Sequence, residues 1–163
     1  RERFIFDVTR AILSGMGGRL FVELRDKQSL AYSVFSLVQH GIDPGIFAIY
    51  IGTEPGKVQQ ALDGIKDQIK KLQNDLVPVD ELQRAKNFII GNHEIDLQKK
   101  TVRAAQLSIN HCYGLPLRDY YDYAKNIQSV TSKEIIEAVQ RKCPLEHATI
   151  ALIRPPGQKP IRI

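Results

Sequence analysis

The amino-acid sequence predicts an α+β domain in which helices pack on one face of an antiparallel or mixed sheet. Three observations carry this prediction. Apolar residues recur at helical spacing over long stretches, as in Val58, Ala61, Leu62, Ile65, Ile69 and Leu72. Two neighbouring segments, Ala31 to Val38 and Ile46 to Gly52, are instead rich in β-branched and aromatic residues. Between them His40-Gly41-Ile42-Asp43-Pro44-Gly45 supplies Pro and Gly in turn-forming order, so the two segments make a hairpin. A third strand-like segment, His147 to Ile153, lies far away in the chain. Three strands against about seven helices is the pattern of helices segregated to one side of a sheet. The sheet is small for so many helices, which points to strands missing from the start of the domain.

The elements follow in order. Phe4, Val8, Ala11 and Ile12 open the chain in a helix, and Ser14-Gly15-Met16-Gly17-Gly18 breaks it. Leu20, Phe21 and Leu24 mark one face of a second, short helix. After the hairpin, Pro55 suits the first turn of the helix whose stripe runs from Val58 to Leu72. Asn74 to Pro78 reads as a loop, and a long helix then extends to Gln98 on Leu82, Ala85, Ile89 and Leu97. Another carries Val102, Ala105, Ile109 and Cys112 and stops at Gly114, with Pro116 just beyond. Tyr120, Ala124 and Ile127 mark a short helix. Thr131 with Glu134 forms a capping box that opens the last helix, on Ile135, Ile136 and Val139, and Pro144 ends it. Residues 1–154 read as one domain, incomplete at its start, and residues 155–163 as a tail.

Composition narrows the function. With 163 residues, 43% hydrophobic and 25% charged, the chain has the make-up of a globular domain with a real core. No apolar run approaches the ~20 residues that cross a bilayer, so no membrane span is expected. The net charge of +5 is spread over pairs such as Lys70-Lys71 and Arg141-Lys142, without interleaved aromatics, which argues against a nucleic-acid partner. Cys112 and Cys143 end apolar helical stripes and read as buried thiols, without metal spacing. The opening Arg1-Glu2-Arg3 lacks an initiator methionine and reads as the interior of a longer protein.

The residues with chemical potential are few. Gly15-Met16-Gly17-Gly18 follows a helix and lacks the spacing of a phosphate loop, so it reads as a helix-to-helix corner. His93-Glu94 lacks the second histidine of either zinc-helix motif, because Leu97 stands where H-E-x-x-H requires one. His93 shares a face with Ile89 and Leu97 and is expected to pack between helix and sheet. His40, His111 and His147 converge in sequence with no carboxylate or thiol pair. The chain alone is therefore expected to bind no zinc and to cleave no peptide. What remains is the stretch from Gly17 to Val34, which brings Arg25 and Tyr32, seven positions apart, to a helix–strand junction. A guanidinium and a phenol placed there are two donors able to grip a peptide carbonyl. Arg25 also reads as a helix-end cation pairing with Glu23 or Asp26, and Tyr32 as an ordinary strand aromatic.

The stretch GGRLFVELRDKQSLAYSV resembles the signature of the second, non-zinc-binding domains of the insulinase/pitrilysin family, the inverted-zincin metallopeptidases that include mitochondrial processing peptidase. The hairpin with its Asp-Pro-Gly turn, Val79-Asp80-Glu81-Leu82-Gln83-Arg84-Ala85-Lys86, Tyr113-Gly114-Leu115-Pro116 and Val130-Thr131-Ser132-Lys133-Glu134 fall in the family's order, so the resemblance covers nearly the whole chain. Gly-Gly before Arg19 is similar to bacterial members. The resemblance implies the substrate-binding half of a zinc metallopeptidase. Zinc would sit on H-x-x-E-H in a complementary domain, in the same chain or a partner subunit, and this chain would hold no cofactor. By motif and spacing, Arg25 would bind main-chain carbonyls of a peptide substrate, and Tyr32 would donate to substrate and to the tetrahedral oxyanion. The alternative is a scaffold of the same fold that has lost the chemistry. The family domain has strands ahead of the first helix, so the sheet here is expected to be incomplete and the chain to dimerise through a strand edge or the uncovered sheet face.

Overall fold

The computed structural model describes residues 1–41, 45–153 and 155–157. Part of the expected hairpin turn, 42–44, and most of the expected tail, 158–163, together with Arg154, lie outside the described residues. The first helix, α1 (Glu2–Leu13), runs through the middle of the domain and buries Phe4, Ile5, Val8, Ile12 and Leu13. Its spacing of apolar residues gives it two buried flanks. It packs against a hairpin on one side and against helices on the other. The hairpin pairs β1 (Ala31–Gln39) with β2 (Ile46–Thr53) antiparallel, with Val34 opposite Ile51 and Phe35 opposite Tyr50. Alternation puts Val34, Ser36, Ile49 and Ile51 toward the core, whereas Phe35, Leu37, Ile46 and Tyr50 face outward.

Helices α2 (Val58–Asn74), α3 (Val79–Leu97), α4 (Lys100–Cys112), α5 (Arg118–Tyr121), α6 (Tyr123–Gln128) and α7 (Ser132–Lys142) complete the order. The shared core is formed by Leu20, Leu24, Leu72, Ile127, Ile135 and Val139 with the buried face of α1. The capping box opening α7 is present: Thr131 Oγ1 accepts from the Glu134 N–H, and Glu134 accepts from the Thr131 N–H. The α+β prediction is borne out, with helices on one face of an antiparallel sheet.

Four expectations are corrected. The closing strand over His147 to Ile153 does not form. His147 ends a short 3-10 turn, and Ala148 is extended (φ −69°, ψ 131°) but enters no ladder. The segment has strand composition, but a strand exists only when a neighbour takes up its N–H and C=O groups, and among the described residues none does. The short helix near Tyr120 is split at Asp122 into α5 and α6. Cys112 is exposed rather than buried, at the end of α4, and Cys143 is half-buried. His93 packs on α5 and α6 rather than on the sheet: it contacts the Tyr120 carbonyl at 3.1 Å and lies 4.3 Å from the Tyr123 ring.

Candidate functional site

The junction between α1 and β1 is built tightly. Gly15 takes φ +86°, and a Cβ at Gly18 would overlap the Ser14 carbonyl, so the corner needs glycine at both positions. Ser14 then ties the corner to the sheet, its Oγ accepting from the Ser36 N–H at 2.7 Å. After the corner, Phe21–Asp26 forms a turn of π-helix rather than the short α-helix that the Leu20/Phe21/Leu24 spacing suggests. Leu24 is fully buried, and Arg19 makes a bidentate ion pair with Glu81 of α3 at 2.7 and 2.8 Å. These two anchors fix the π-turn at its base. Such turns are rare and concentrate at functional sites.

Arg25 lies on the outer side of that turn. Ser29 reverses the chain into β1 with φ +50°, an uncommon conformation for a residue with a side chain. Its carbonyl accepts from Lys57 Nζ at 3.3 Å. The first rungs of the hairpin then slip: Ala31 faces Thr53 but Ser33 faces Gly52, so Tyr32 is the extra residue of a β-bulge. A bulge turns its extra side chain out of the pleat, and bulges recur beside active sites for that reason. Tyr32 is accordingly 85% exposed.

The structure brings Arg25 and Tyr32 together. The guanidinium carbon of Arg25 sits over the Tyr32 ring at 5.1 Å from its centre and over that of Phe21 at 4.6 Å, in contact with both aromatic faces. Glu23, one of the anions proposed for Arg25, pairs with Lys27 instead at 2.7 Å, and no ion pair joins Arg25 to Asp26 among the described residues. Among the described residues the Arg25 guanidinium and the Tyr32 hydroxyl make no hydrogen bond or ion pair, so both keep their donors free. Tyr32 also borders an open hollow of about 460 Å³ with Ser33, Tyr50, Gly52, Thr53 and Glu54. Arg25 does not line it. Phe21, Tyr50 and the bulge were not legible as site features. The signal for Phe21 was its place four residues before Arg25, which a helical turn brings onto one side.

Metal ligation has no seat here: among the described residues no three His, Cys, Asp or Glu side chains converge on one point. Among the described residues no helix is long and apolar enough to cross a membrane.

Comparison with known proteins agrees with the motif. The model of the peptidase M16 inactive domain matches residues 3–89, just over half of the 163 residues. An uncharacterised zinc protease of Streptomyces coelicolor is 29% identical over 146 residues, which is 89% of this chain and 31% of that protein. The uncharacterised zinc protease YmxG of Bacillus subtilis is 28% identical over 94% of this chain and 37% of its own length. This chain thus spans about a third of these relatives. The stromal processing peptidase of Arabidopsis thaliana is 33% identical over 57% of the chain and 8% of its own. Among solved structures, a peptidase M16 inactive domain from Pseudomonas fluorescens superposes with a TM-score of 0.78 at 24% identity, covering 86% of this chain and 34% of that one. A Helicobacter pylori protease gives 0.75 at 20%, with 86% and 34% covered, and these two show the fold. With its helix–π-turn–hairpin core matched by the family's own model, the chain belongs to the peptidase M16 inactive-domain family.

Proposed function

We propose that this chain is the substrate-contacting half of a zinc metallopeptidase. In this reading Arg25 and Tyr32 act on a peptide held against a complementary zinc-bearing domain. The observation that carries it is the pairing of two vacant donors: a guanidinium held over the rings of Phe21 and Tyr32, beside a phenol turned outward by a bulge. Arg25 presents N–H groups in a fixed plane, suited to main-chain carbonyls of an extended peptide. Tyr32 presents one O–H, suited to the oxygen that gains negative charge when a peptide carbonyl becomes tetrahedral. A donor of that kind acts most strongly where a second domain closes over it and excludes water. The zinc of the complementary domain would supply the activated water and polarise the scissile carbonyl. The chain spans only about a third of the relatives carrying zinc-protease names, which leaves room for that domain.

The test separates chemistry from scaffolding. The zinc-bearing half is prepared alone, and this chain is added in trans while cleavage of a fluorogenic peptide is followed. The wild-type chain is expected to raise turnover in proportion to complex formed. A chain carrying Arg25→Gln and Tyr32→Phe is expected to form the complex and restore little activity. Full restoration by the double variant would leave the chain a scaffold only.

A further inference from the structure

The bulge at Tyr32 has a regular strand as its alternative, so something must hold it. From Ser33 to Gln39 the two strands keep one register, with Ser33 opposite Gly52 and Val34 opposite Ile51. Continued toward the start of β1, that register would set Tyr32 opposite Thr53 and Leu30 opposite Pro55. Tyr32 would then share the parity of Val34 and Ser36, which are both buried, and turn toward the core side. Instead Ala31 takes Thr53 as its partner, and Tyr32 stands outward.

Two residues of the opposite segment oppose the regular register. Pro55 has no N–H to give to a ladder. Thr53 supplies a donor from its side chain: its Oγ1 donates to the Leu30 carbonyl at 2.6 Å. Leu30 is only 2% exposed, and its own N–H donates to the Leu24 carbonyl at 2.8 Å. The Ser29 N–H donates to the Arg25 carbonyl at 3.0 Å. The Ser29–Leu30 turn is thus tied through its N–H groups to the π-turn that carries Arg25, and through the Leu30 carbonyl to Thr53. Lys57 Nζ reaches the Ser29 carbonyl at 3.3 Å, but it is shared with the exposed Glu54 carboxylate at 3.2 Å, so its hold is the weaker one. Deleting the Thr53 hydroxyl would leave a buried acceptor without its donor, and the turn would have to move to bring that carbonyl to water.

We propose that Thr53 is a positioning residue of the Arg25–Tyr32 site: its hydroxyl, by holding the Leu30 carbonyl, keeps the bulge in place and Tyr32 beside Arg25. The geometric effect stands by itself, whereas its consequence for turnover rests on the role proposed above for Tyr32.

Nuclear Overhauser spectroscopy of the full chain tests the geometry. The wild-type chain is expected to show contacts from the Arg25 side chain to both the Phe21 and the Tyr32 rings. Thr53→Val removes the hydroxyl and keeps the branched shape that suits a strand. It is expected to keep the Phe21 contact and to weaken the Tyr32 contact severalfold, and Thr53→Ala to do the same. Thr53→Ser keeps the hydroxyl and is expected to retain both contacts. A general loss of structure would weaken both together, so the split is not a signature of lowered stability. An undiminished Arg25–Tyr32 contact in Thr53→Val or Thr53→Ala would overturn the proposal. Loss of that contact in Thr53→Ser would overturn it as well, which keeps the test decisive where the valine variant does not fold.

Turnover with the zinc-bearing half supplied in trans separates this proposal from the reading it rests on. Thr53→Val is expected to lower kcat about tenfold, the size of one hydrogen bond, and Thr53→Ser to restore it. Loss of the Tyr32 contact with kcat unchanged would uphold the positioning by Thr53 and count against the role of Tyr32. A retained contact would overturn the positioning whatever the turnover.

Discussion

At the scale of single residues, the decisive arrangement is the stack of Phe21, Arg25 and Tyr32. The guanidinium gains from both rings while its N–H edge stays free, so orientation is fixed without using the donors. Removing the Phe21 ring should therefore loosen Arg25 without touching the fold's centre. In the proposed two-domain peptidase, Phe21→Leu is expected to raise KM roughly 2–30-fold, the range of a cation–π contact, and Phe21→Tyr to restore it. An unchanged KM for Phe21→Leu would show that the stack does not position Arg25. A second contrast concerns the thiols. Burial pushes the Cys143 thiol up to about 11, whereas Cys112 stands exposed at the end of α4. Iodoacetamide at pH 8 should label Cys112 well before Cys143, because the thiolate is the reactive form; peptide mapping of the alkylated chain checks the order. The motif made Arg25 and Tyr32 legible in the sequence. The bulge that turns Tyr32 outward was not, because it depends on the register of a partner strand and leaves no periodic trace.

At the scale of elements, the π-turn is held by a close approach. A Cβ at Gly64, in the middle of α2, would overlap Leu24 Cδ2. Leu24 is fully buried, so its side chain would have to shift within the packed core to make room. Helix propensity alone would favour Gly64→Ala by up to about 1 kcal/mol. Overpacking opposes it by about 1–3 kcal/mol, so the variant is expected to be less stable in urea denaturation and to shift the π-turn that carries Arg25. The capping box of α7 gives a pH-dependent prediction. Burial pulls the Glu134 carboxyl upward, but hydrogen bonds from Thr131 and Arg1 outweigh it and hold the group below the usual carboxylate range. A folded value below the unfolded one means the stabilisation is complete above the unfolded value, near pH 4.3, and is lost as pH falls through the lower folded value. Glu134→Gln should therefore flatten the fall of melting temperature below about pH 4.3, and Thr131→Ala should cost about 1 kcal/mol at neutral pH. This box was legible because its partners lie three residues apart. The closing strand was misread because composition specifies a willingness to pair, and the pairing itself belongs to whatever lies alongside.

At the scale of the whole molecule, the sheet has two faces of the same apolar character. Its inner face covers α1, whereas Phe35 and Tyr50 stack outward at 5.1 Å beside exposed Leu37 and Ile46. Exposed apolar area of this kind favours association. We therefore expect the chain alone to show the mass of a dimer in sedimentation at high concentration. A monomer at every concentration would remove that expectation. The central claim concerns chemistry across a domain boundary, and Tyr32→Phe in the complete enzyme tests it most directly, with zinc content measured alongside. The variant deletes one hydroxyl from an 85%-exposed side chain and leaves its ring against Arg25. The account predicts full zinc loading, a KM within about twofold and a kcat lowered roughly 10–1000-fold, as for a donor that bonds the transition state more strongly than the substrate. A kcat equal to wild type at full zinc loading would contradict it.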